Sequence, residues 1–478
     1  MKMTLQLVIC EDDGREETIA DVVILEKTCQ KPEQVGLTLA EAKTLLQRLQ
    51  QPLVERQAAA FVATRARCQA CGTPLSTKGH HTVTFRTLFG TMRLTSPRLC
   101  HCPCTPHETA TFSPLTELLP EHTAPELLFM ETKWASLVSY GLTVQALTDF
   151  LPVDETLSVS TVRSNALAAA QRCEAELGEE QMSFIEGCPR DWGNLPLPDG
   201  PMTVGIDGGY VRDWDEKKRQ FEVIVGKSIL AFKREDEEDV PSGKCFGFVQ
   251  TVDPKPKRRL FELLQSQGLQ MNQQLTFLSD GGDTVRDLQL YLSLEAEHLL
   301  DWFHVTMRLT VMQQTAKGLP EKTRDDEEDY PLRDPVVREL ERLKWYLWHG
   351  NVYKALQVMQ LVEMDLDAAV ANTSDSTARK LLKAVEEFHT YIANNQGFIP
   401  NYGERYRTGE RISTGFVEST VNQVISKRFC KKQQMQWTKR AAHLLLQMRV
   451  KTLNHELVAV FRRWYPNFPV PQDEARAG

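Results

Sequence analysis

The pattern of apolar and polar residues predicts several regions of different secondary structure along the chain. Near the N-terminus, two short apolar runs predict strands, and the next helix should begin near Thr38, because Glu41 three residues later completes a capping box. Residues 125–175 have helical spacing throughout. Three more segments between about residues 331 and 397 have the apolar spacing of helices, so we expect this part of the chain to be all-helical.

From Met202 to about Ala316, the predicted elements follow a specific order. Three strands come first as a meander, and helix, strand, helix, strand and helix follow them. This is the element order of a ribonuclease-H-like α/β fold. We therefore expect a multidomain α/β protein whose ribonuclease-H-like catalytic domain is interrupted by an all-α insertion.

The predicted elements and the changes in composition give six segments. They are an N-terminal α+β segment, a zinc-ribbon module, a helical DNA-binding region, the first part of the ribonuclease-H-like domain, the all-α insertion, and the completion of that domain with basic C-terminal helices. Their expected ranges are 1–60, 61–110, 111–185, 200–318, 319–402 and 403–478. A Pro- and Gly-rich stretch supports the boundary before residue 200.

Composition narrows the class of protein. The chain has 478 residues, of which 41% are apolar, and this is enough for several packed cores. No apolar segment approaches the length of a membrane span, and acidic residues interrupt the first apolar run, so we expect a cytoplasmic protein without a membrane partner. The formal net charge is −8, yet residues 403–463 carry thirteen basic and four acidic side chains. That segment is a candidate DNA track.

The spacing of the cysteines indicates a metal site. Five of the eleven cysteines lie between Cys68 and Cys104, where a Cys-x-x-Cys pair precedes two predicted strands and a second cluster follows them. This arrangement predicts a zinc ribbon, with Cys68, Cys71, Cys102 and Cys104 as the favoured ligands of a structural Zn²⁺. Cys100 could replace either of the last two ligands, and a set of free cytosolic thiols is the alternative interpretation.

Residues 141–172 have the pattern of a helix-turn-helix. The first helix would span residues 144–150, and the second would begin at Ser158 or Ser160. The residues that the second helix would expose to a DNA groove are Thr161, Arg163 and Ser164. Two helices that only pack together would produce the same pattern.

Two aspartates follow predicted strands in similar surroundings. Asp207 in VGIDGG and Asp280 in LTFLSDGG both lie beside glycines, which let a phosphate or a metal ion approach closely. Carboxylates that converge from neighbouring strands repel each other unless a cation lies between them. Each motif alone is typical of an ordinary turn. Their joint placement on a first and a fourth strand predicts a divalent-metal site.

Glu418 is the candidate third carboxylate. Val417, Val421 and Val424 form the buried stripe of its predicted helix, which leaves Glu418 and Asn422 at the edge of that stripe. From this edge, the side chain of Glu418 can reach a strand-end site. A glutamate near the start of a helix also complements the helix dipole, which is the simpler interpretation.

Further polar residues lie beside these motifs. Asp301 and His304 follow the next predicted strand, where they could form a second set of metal ligands, a pair that orients phosphate, or a structural couple. Arg212, Arg286 and Arg308 are candidates for phosphate contacts, and they are equally typical of an exposed helix surface.

Four blocks of sequence carry a resemblance to a known family. In chain order they are GIDGGYVR, FLSDGGDTVR, DWFHVTMRL and GFVESTVNQVISKRF, and the Cys-rich module precedes them. Over residues 68–464, the chain resembles bacterial insertion-sequence DDE transposases of the ISKra type, which are relatives of the Mutator-like transposases. The resemblance implies a catalytic triad of Asp207, Asp280 and Glu418, with Asp301 and His304 as the signature after the second aspartate.

The resemblance also implies cofactors, partners and an activity. The expected activity is cleavage and strand transfer at the ends of the protein's own insertion sequence, with two catalytic Mg²⁺ ions. The expected partners are double-stranded DNA, as terminal inverted repeats and as target, and further copies of the chain on that DNA. The expected location is the bacterial cytoplasm, at the nucleoid when DNA is bound. The candidate DNA-binding residues are Arg163, Arg212, Arg286, Arg308, Lys427, Arg428, Lys431 and Lys432.

Two other functions are compatible with the sequence. One is a non-catalytic, DNA-binding descendant of a transposase, and the other is a ribonuclease-H-like nuclease that only hydrolyses DNA. The intact set of three acidic residues favours an enzyme over the first alternative. The separate end-binding region and the helical insertion favour a transposase over the second.

Overall fold

The structure is a computed structural model of the chain. It describes residues 2–10, 16–28, 31–104, 109–154, 156–185, 189–192, 195–198, 200–230, 243–293, 295–324, 329–373, 375–430 and 436–469. These residues form two compact units, of which the first contains residues up to 172 together with residues 455–469, and the second contains residues 173–454. Lys431 and Lys432, two of the predicted DNA-binding residues, lie outside the described residues.

The described residues contain twelve strands and sixteen α-helices. The strands are β1 (Lys2–Cys10), β2 (Glu16–Glu26), β3 (Thr77–Thr87), β4 (Gly90–Cys100), β5 (Thr111–Phe112), β6 (Met202–Arg212), β7 (Gln220–Leu230), β8 (Gly243–Val249), β9 (Leu275–Ser279), β10 (Glu297–Leu300), β11 (Lys322–Arg324) and β12 (Asp329–Pro331). The helices are α1 (Leu39–Arg65), α2 (Pro114–Leu118), α3 (Pro125–Leu137), α4 (Tyr140–Phe150), α5 (Val159–Glu176), α6 (Pro189–Trp192), α7 (Pro256–Ser266), α8 (Asp283–Leu292), α9 (Trp302–Ala316), α10 (Arg333–Trp348), α11 (Val352–Thr373), α12 (Ser376–Asn394), α13 (Tyr402–Arg407), α14 (Gly415–Val421), α15 (Lys439–Leu453) and α16 (Leu457–Trp464). A π-helix (Asn422–Cys430) continues α14. Within this part of the chain, no helix is long and apolar enough to cross a membrane.

The first unit begins with a hairpin, a long helix and a small sheet. The helix α1 starts with the predicted capping box, because the Thr38 hydroxyl accepts from the Glu41 backbone and the Glu41 carboxylate accepts from the Thr38 backbone. Its N-terminal half packs on the β1–β2 hairpin. Its C-terminal half packs on β3 and β4, which form a three-stranded antiparallel sheet with β5. The structure contains the strands and the helix that the sequence predicted for this region.

Helices complete the first unit. The helices α4 and α5 confirm the two predicted segments of the helix-turn-helix pattern, and the Ser158 hydroxyl accepts from the Thr161 backbone at the start of α5. The C-terminal helix α16 packs on α3, with the rings of Phe129 and Phe461 5.2 Å apart. The sequence had grouped residues 403–478 in one segment, whereas the structure divides them between the two units at residue 455.

A five-stranded mixed sheet forms the centre of the second unit. Its strand order is β10-β9-β6-β7-β8, with β6, β9 and β10 parallel to one another and β7 and β8 antiparallel to their neighbours. The predicted order of strands and helices is confirmed, with two differences. The first strand was predicted to end at Asp207 and its glycines, whereas β6 continues to Arg212 because it stays paired with β7. The strand predicted for residues 297–304 ends at Leu300, because the Asp301 side chain caps the following helix α9.

The register of the parallel strands brings three acidic residues to one edge of the sheet. Gly205 pairs with Leu278, and Leu300 pairs with Ser279. Continuing these registers past the strand ends sets Asp207, Asp280 and Asp301 at the same level on β6, β9 and β10. Because parallel strands end at the same edge, this edge is where ligands are bound in open α/β sheets.

Each face of the sheet is covered by helices. On β6, Met202, Val204 and Ile206 face a core that includes residues of α7 and α8. Side chains alternate along a strand, so Gly205, Asp207 and Gly209 lie on the other face. A Cβ at Gly205 would lie 2.3 Å from Val417, and one at Gly209 would lie 2.6 Å from Ile425. These glycines therefore let α14 and the π-helix pack directly against β6.

A helical region follows α9, as the sequence predicted. The helices α10, α11 and α12 share a buried apolar core with α9. Their apolar residues recur at helical spacing, as in Leu340, Leu343 and Leu347 of α10. The hydroxyl of Tyr402 donates to the Leu300 carbonyl at 2.7 Å, which ties the segment after this helical region to the end of β10.

Candidate active site and metal centres

An open cleft of about 710 Å³ lies at the edge where the parallel strands end, and we call it the strand-end cleft. The residues that line it are Asp207, Gly208, Tyr210, Glu222, Ile224, Asp280 and Gly282. Two of the three predicted carboxylates, Asp207 and Asp280, therefore share one cavity. A Cβ at Gly208 would lie 2.9 Å from a carboxylate oxygen of Glu222, so this glycine leaves room for a third carboxylate.

The pKa values of two carboxyl groups in the strand-end cleft are raised. Burial is the largest cause of the raised pKa of Asp207, the charges of Asp280 and Asp301 add to it, and His304 opposes it. Burial, followed by the charge of Asp280, also raises the pKa of Glu222. Repulsion and burial both disfavour the ionised forms. A bound cation would relieve both effects, and carboxylate oxygens are the ligands that Mg²⁺ uses in proteins.

The loop that carries Asp280 is supported from behind. The Gly282 backbone donates to Asp280 at 3.2 Å, and the Gly281 backbone donates to the Ser279 hydroxyl at 3.1 Å. That hydroxyl also bonds to Nε2 of His298 at 2.7 Å. Gly281 has a φ of 89°, in the left-handed region that favours glycine. These contacts fix the direction in which the chain leaves β9, and so they position Asp280.

Asp301 is fully buried, and other groups of the protein donate to both of its carboxylate oxygens. One oxygen accepts from the backbones of Phe303 and Thr414, both at 2.9 Å. The other accepts from Nδ1 of His304 at 2.7 Å and from the Thr414 hydroxyl. Of the alternatives for this residue, the geometry favours a structural role. Asp301 caps α9 and fixes the start of α14.

His304 is bonded to Asp301 and is influenced by the charges of the cleft, although it is not among the residues that line the cleft. It lies in the first turn of α9 and is half-buried. The hydrogen bond to Asp301 is the largest cause of its raised pKa, which the charges of Asp207 and Asp280 raise further. Because Nδ1 is bonded to Asp301, the other ring nitrogen is the one that can contact a ligand.

Glu418, the predicted third carboxylate, does not line the strand-end cleft. It is exposed on α14. Its neighbour Val417 packs at Gly205, on the face of β6 that also carries Asp207. Among the described residues, two groups of three or more potential ligands have their ligand atoms within 4.8 Å of one another, and Asp207, Asp280 and Glu418 are not one of them.

The sequence analysis did not identify Glu222. This residue pairs with Tyr210 across β6 and β7, on the face opposite to that of Asp207. The available signal was a single acidic residue inside the otherwise apolar run QFEVIV. An acidic residue in a half-buried strand is uncommon enough to mark a candidate site.

The predicted cationic residues occupy different surroundings. Arg163, Arg212, Arg308 and Lys427 are exposed, so their side chains are accessible to DNA. Arg286 donates to the Gly281 carbonyl at 2.8 Å and therefore supports the Asp280 loop.

The prediction for Arg428 was wrong. Its side chain is fully buried in the π-helix, with the guanidinium 5.0 Å from the Trp437 ring, and so it does not face solvent. Arg449, which was counted in the basic C-terminal segment, is also buried and donates to the backbone carbonyls of Gln423 and Val424. The candidate DNA track is weaker than its charge count suggested.

Four cysteines of the ribbon form one cluster, and they are the four favoured from the sequence. The sulfur atoms of Cys68, Cys71, Cys102 and Cys104 all lie within 4.8 Å of one another, with two pairs at 3.5 Å. Cys100 is the last residue of β4 and is not in the cluster.

The backbone prepares this cluster for thiolates. Hydrogen bonds from the backbones of Cys71 and Ala70 are the largest causes of the lowered pKa of Cys68. The Thr73 hydroxyl and then the Thr73 backbone lower the pKa of Cys71 to about 6. Gly72, with a φ of 73°, allows the tight turn between them. Four converging thiols with N–H···S bonds are a donor set that fits a tetrahedral metal ion.

A second acidic group in this unit has its own counter-ion, and we call it the arginine-bridged network. It consists of Glu174, Asp253 and His443, and the guanidinium of Arg259, whose side chain is 10% exposed, lies between the two carboxylates. Arg259 donates to both oxygens of Glu174 at 2.9 Å and to Asp253 at 2.8 Å. Burial alone would raise the pKa of Glu174, but hydrogen bonds from His443 and Arg259 lower it to about 2. A metal ion would have to displace Arg259, so we interpret this group as a structural ion-pair network.

Comparison with known proteins gives no further identification. No protein-family model matches the chain, and no curated protein sequence gives a significant match.

Proposed function

We propose that the protein is a DDE transposase that cuts and joins DNA in a metal-dependent reaction. The observation that carries the proposal is the strand-end cleft, where Asp207 on β6 and Asp280 just after β9 lie at the same level of neighbouring parallel strands. A third carboxylate, that of Glu222, lines the same cleft, and three carboxylates in one cleft support a site that binds divalent cations. The type of reaction is inferred from the resemblance in sequence. The geometry of the strand-end cleft suits that reaction.

The topology of the second unit supports a ribonuclease-H-like assignment. Three consecutive strands form an antiparallel meander, and two parallel strands with helical connections extend the sheet on the side of the first strand. The helical region between α9 and α14 supports the proposed all-α insertion. These features agree with the element order that the sequence predicted for such a fold.

The side chains of the cleft have distinct roles in the proposed reaction. Bound Mg²⁺ would polarise the scissile phosphate and favour the ionised form of the attacking hydroxyl. Asp207 and Asp280 would hold the cations, and His304 would donate to a phosphate oxygen through the ring nitrogen that faces away from Asp301. Asp301 acts as a positioning residue, because it holds His304 and also holds Thr414, which caps the helix α14 that carries Glu418.

The third carboxylate has two candidates that approach from opposite faces of the sheet. Glu418 lies on the helix that covers the Asp207 face, and Glu222 lies in the cleft itself. The family resemblance favours Glu418 as the catalytic residue. We therefore expect Glu418→Gln to abolish DNA cleavage, and Glu222→Gln to reduce it about tenfold through weaker cation binding, a change of about 1.4 kcal/mol. If Glu222→Gln abolished cleavage and Glu418→Gln only reduced it, the third metal ligand would be Glu222.

The first unit is proposed to recognise the ends of the element. The second helix of the helix-turn-helix pattern is α5, and it exposes Arg163 and Ser164. The cysteine cluster is proposed to hold one structural Zn²⁺, which fits the four thiols and their backbone donors. Metal analysis should find one zinc per chain in the wild type and none in Cys71→Ser. A wild type without zinc would remove this assignment.

Cleavage of DNA from the gene's own surroundings tests the proposal. The substrates are duplexes taken from either side of the coding sequence, where terminal repeats would lie. With Mg²⁺, the wild type should cleave them and join the ends to a target plasmid, and Asp207→Asn and Asp280→Asn should each lose at least about a thousandfold in rate, or about 4 kcal/mol. The matched control is Asp215→Asn, which makes the same change at an exposed position after β6.

Each outcome of this experiment has a defined meaning. Cleavage by either aspartate variant at the wild-type rate would refute the proposal. Cleavage without any joined product would replace the transposase with a nuclease. Retained duplex binding in the inactive variants would show that the lost activity comes from the cleft and not from DNA recognition.

A further inference from the structure

The strands β6 and β7 continue beyond the rest of their sheet as a two-stranded arm. Pairing of β6 with β9 stops at Gly205, and β7 pairs with β8 only from Val223 onward. Beyond these points β6 and β7 stay paired with each other, and we call residues 210–222 the hairpin arm. Since Tyr210 and Glu222 line the strand-end cleft, the base of the arm borders that cleft.

One face of the hairpin arm is buried and the other is open. Side chains alternate between the two faces along each strand. Val211 and Phe221 pair across the strands and are 0% and 5% exposed, so their face is covered. Tyr210 lies on the opposite face and is 63% exposed. The open face of the arm is therefore a continuation of the wall of the cleft.

A second aromatic residue lies on the same open face. Asp213 forms a parallel bridge with Trp437, and in it the Trp214 backbone donates to the Trp437 carbonyl at 3.0 Å. Asp213 is 2% exposed, so its neighbours Arg212 and Trp214 lie on the open face, where Trp214 is 57% exposed. Tyr210, Arg212 and Trp214 thus follow one another about 6.6 Å apart, and we call these three residues the aromatic face.

The charge of the hairpin arm suits an anionic ligand. Two of the three acidic side chains of its turn are paired, Asp213 with Lys439 at 3.5 Å and Glu216 with Arg219 at 3.0 Å. The third is Asp215, which is exposed. The exposed basic residues that remain are Arg212, Lys217 and Lys218. A phosphate backbone that passes along the arm would therefore meet more positive than negative charge.

The side chains of the aromatic face fit nucleotides whose bases are unpaired. Aromatic rings and the plane of a guanidinium stack on the faces of bases, and a guanidinium also binds phosphate. The bases of a closed duplex stack on one another, so they reach such side chains only after they leave the stack. Aromatic and basic residues in alternation along one strand are thus typical of a surface for single-stranded nucleic acid.

We propose that the aromatic face binds a DNA strand whose bases are unpaired, with bases stacked on Tyr210 and Trp214 and a phosphate on Arg212. The proposal rests on the proposed function in one respect, namely that this strand belongs to the DNA whose phosphate enters the strand-end cleft. The stacking itself requires no metal ion. Its consequence for the reaction is that the duplex is opened beside the phosphate that is cut.

Binding of two single strands in a chelating buffer tests the proposal. One strand is an oligothymidylate of about twelve nucleotides, and the other is an abasic strand with the same number of phosphates. Fluorescence anisotropy should show that the full-length wild type prefers the oligothymidylate about a hundredfold, or about tenfold for each stacked base. Tyr210→Ala and Trp214→Ala should each reduce this preference to about tenfold, whereas Trp214→Phe should keep it, because it keeps an aromatic ring.

The matched control is Trp345→Ala, which removes a tryptophan that is 52% exposed on α10. Its preference should equal that of the wild type. Circular dichroism should show the same melting for Trp214→Ala and Trp345→Ala, since both side chains are exposed. If Trp214→Ala does not fold, Tyr210→Ala still tests the proposal. Equal binding of the two strands by the wild type, or an unchanged preference in the alanine variants of the aromatic face, would overturn it.

The same measurements keep this proposal separate from the proposed function. A wild type that cleaves DNA but does not distinguish the two strands would refute only the stacking. A wild type that distinguishes the strands through Tyr210 and Trp214 but never cleaves would refute only the transposase.

Discussion

Two groups of acidic side chains in the second unit differ in what balances their charge. In the arginine-bridged network, a buried guanidinium lies between the carboxylates of Glu174 and Asp253. In the strand-end cleft, Asp207 and Asp280 accept from the backbones of Gly208 and Gly282, which carry no net charge. The first group carries its own counter-ion, and the second is arranged to receive one.

The difference appears in the direction of the pKa shifts. The pKa of Glu174 is lowered to about 2, because the hydrogen bonds from His443 and Arg259 outweigh burial. The pKa of Asp207 is raised, mainly because burial and the charge of Asp280 outweigh its favourable contacts. A carboxylate that the fold has already neutralised contributes to stability, whereas one that the fold leaves unbalanced costs stability and is available for a cation. Short distances between possible ligand atoms would by themselves select the arginine-bridged network as the metal site, and not the strand-end cleft.

Removing the bridging guanidinium should have the largest effect on stability. Arg259→Met leaves the buried Asp253 and the half-buried Glu174 without their partner, so the free energy of unfolding should fall by about 3–5 kcal/mol. Arg407→Met, at an exposed position of α13, is the control and should change stability by less than about 0.5 kcal/mol. Urea unfolding at neutral pH measures both values. Equal stability of the two variants would show that the network is not structural.

Acid should remove the contribution of Glu174. The pKa of Glu174 is about 2 in the folded chain, whereas the ordinary value for a glutamate is 4.5, so folding favours the ionised form. The stabilisation is complete above pH 4.5 and is lost as the pH falls toward 2. The wild type should exceed Glu174→Gln by about 3 kcal/mol at pH 6, and the difference should be much smaller at pH 3. Unfolding in urea at the two pH values checks this, and a difference independent of pH would contradict it.

Ca²⁺, which takes oxygen ligands, should stabilise the chain only through the strand-end cleft. At a Ca²⁺ concentration of about 100 times its dissociation constant, the wild type should gain about 2.7 kcal/mol. The double variant Asp207→Asn/Asp280→Asn should gain nothing, and Glu174→Gln should gain as much as the wild type. Thermal unfolding with and without Ca²⁺ measures the gain. Loss of the gain in Glu174→Gln would exchange the roles of the two clusters.

The smallest effect is expected from Asp207→Asn without metal. Because burial and repulsion raise the pKa of Asp207, its ionised form costs stability as the pH rises above the ordinary range of a carboxyl group. The variant should therefore be about 0.5–1 kcal/mol more stable than the wild type at neutral pH, with no difference near pH 3. Chemical unfolding in a chelating buffer tests this, and a destabilised variant would count against an unbalanced cleft.

The sequence predicted local features better than distant ones. The capping box at Thr38, the order of strands and helices from β6 to α9 and the four clustered cysteines depended on residues close in sequence or on element order, and each agrees with the structure. The burial of Arg428 could not be read from a count of charges, because it depends on packing against Trp437.

The carboxylates were harder to assign for a related reason. Asp207 and Asp280 could be placed together because each was predicted to end a strand of one sheet. Although β6 continues past Asp207, the structure brings both residues to the strand-end cleft. The placement of Glu418 depends on how α14 packs against β6 at Gly205, and Glu222 has room in the cleft because Gly208 has no side chain. Such placements depend on tertiary packing, which the pattern of residues along the chain does not show.

Counting bound Mn²⁺ by electron paramagnetic resonance tests the central claim most directly. Titrated into the wild type, Mn²⁺ should bind at two sites, and both should be lost in Asp207→Asn/Asp280→Asn but kept in Glu174→Gln. Equal binding by the wild type and the double aspartate variant would contradict the account, because the strand-end cleft would then not be the place where the chain holds its catalytic cations.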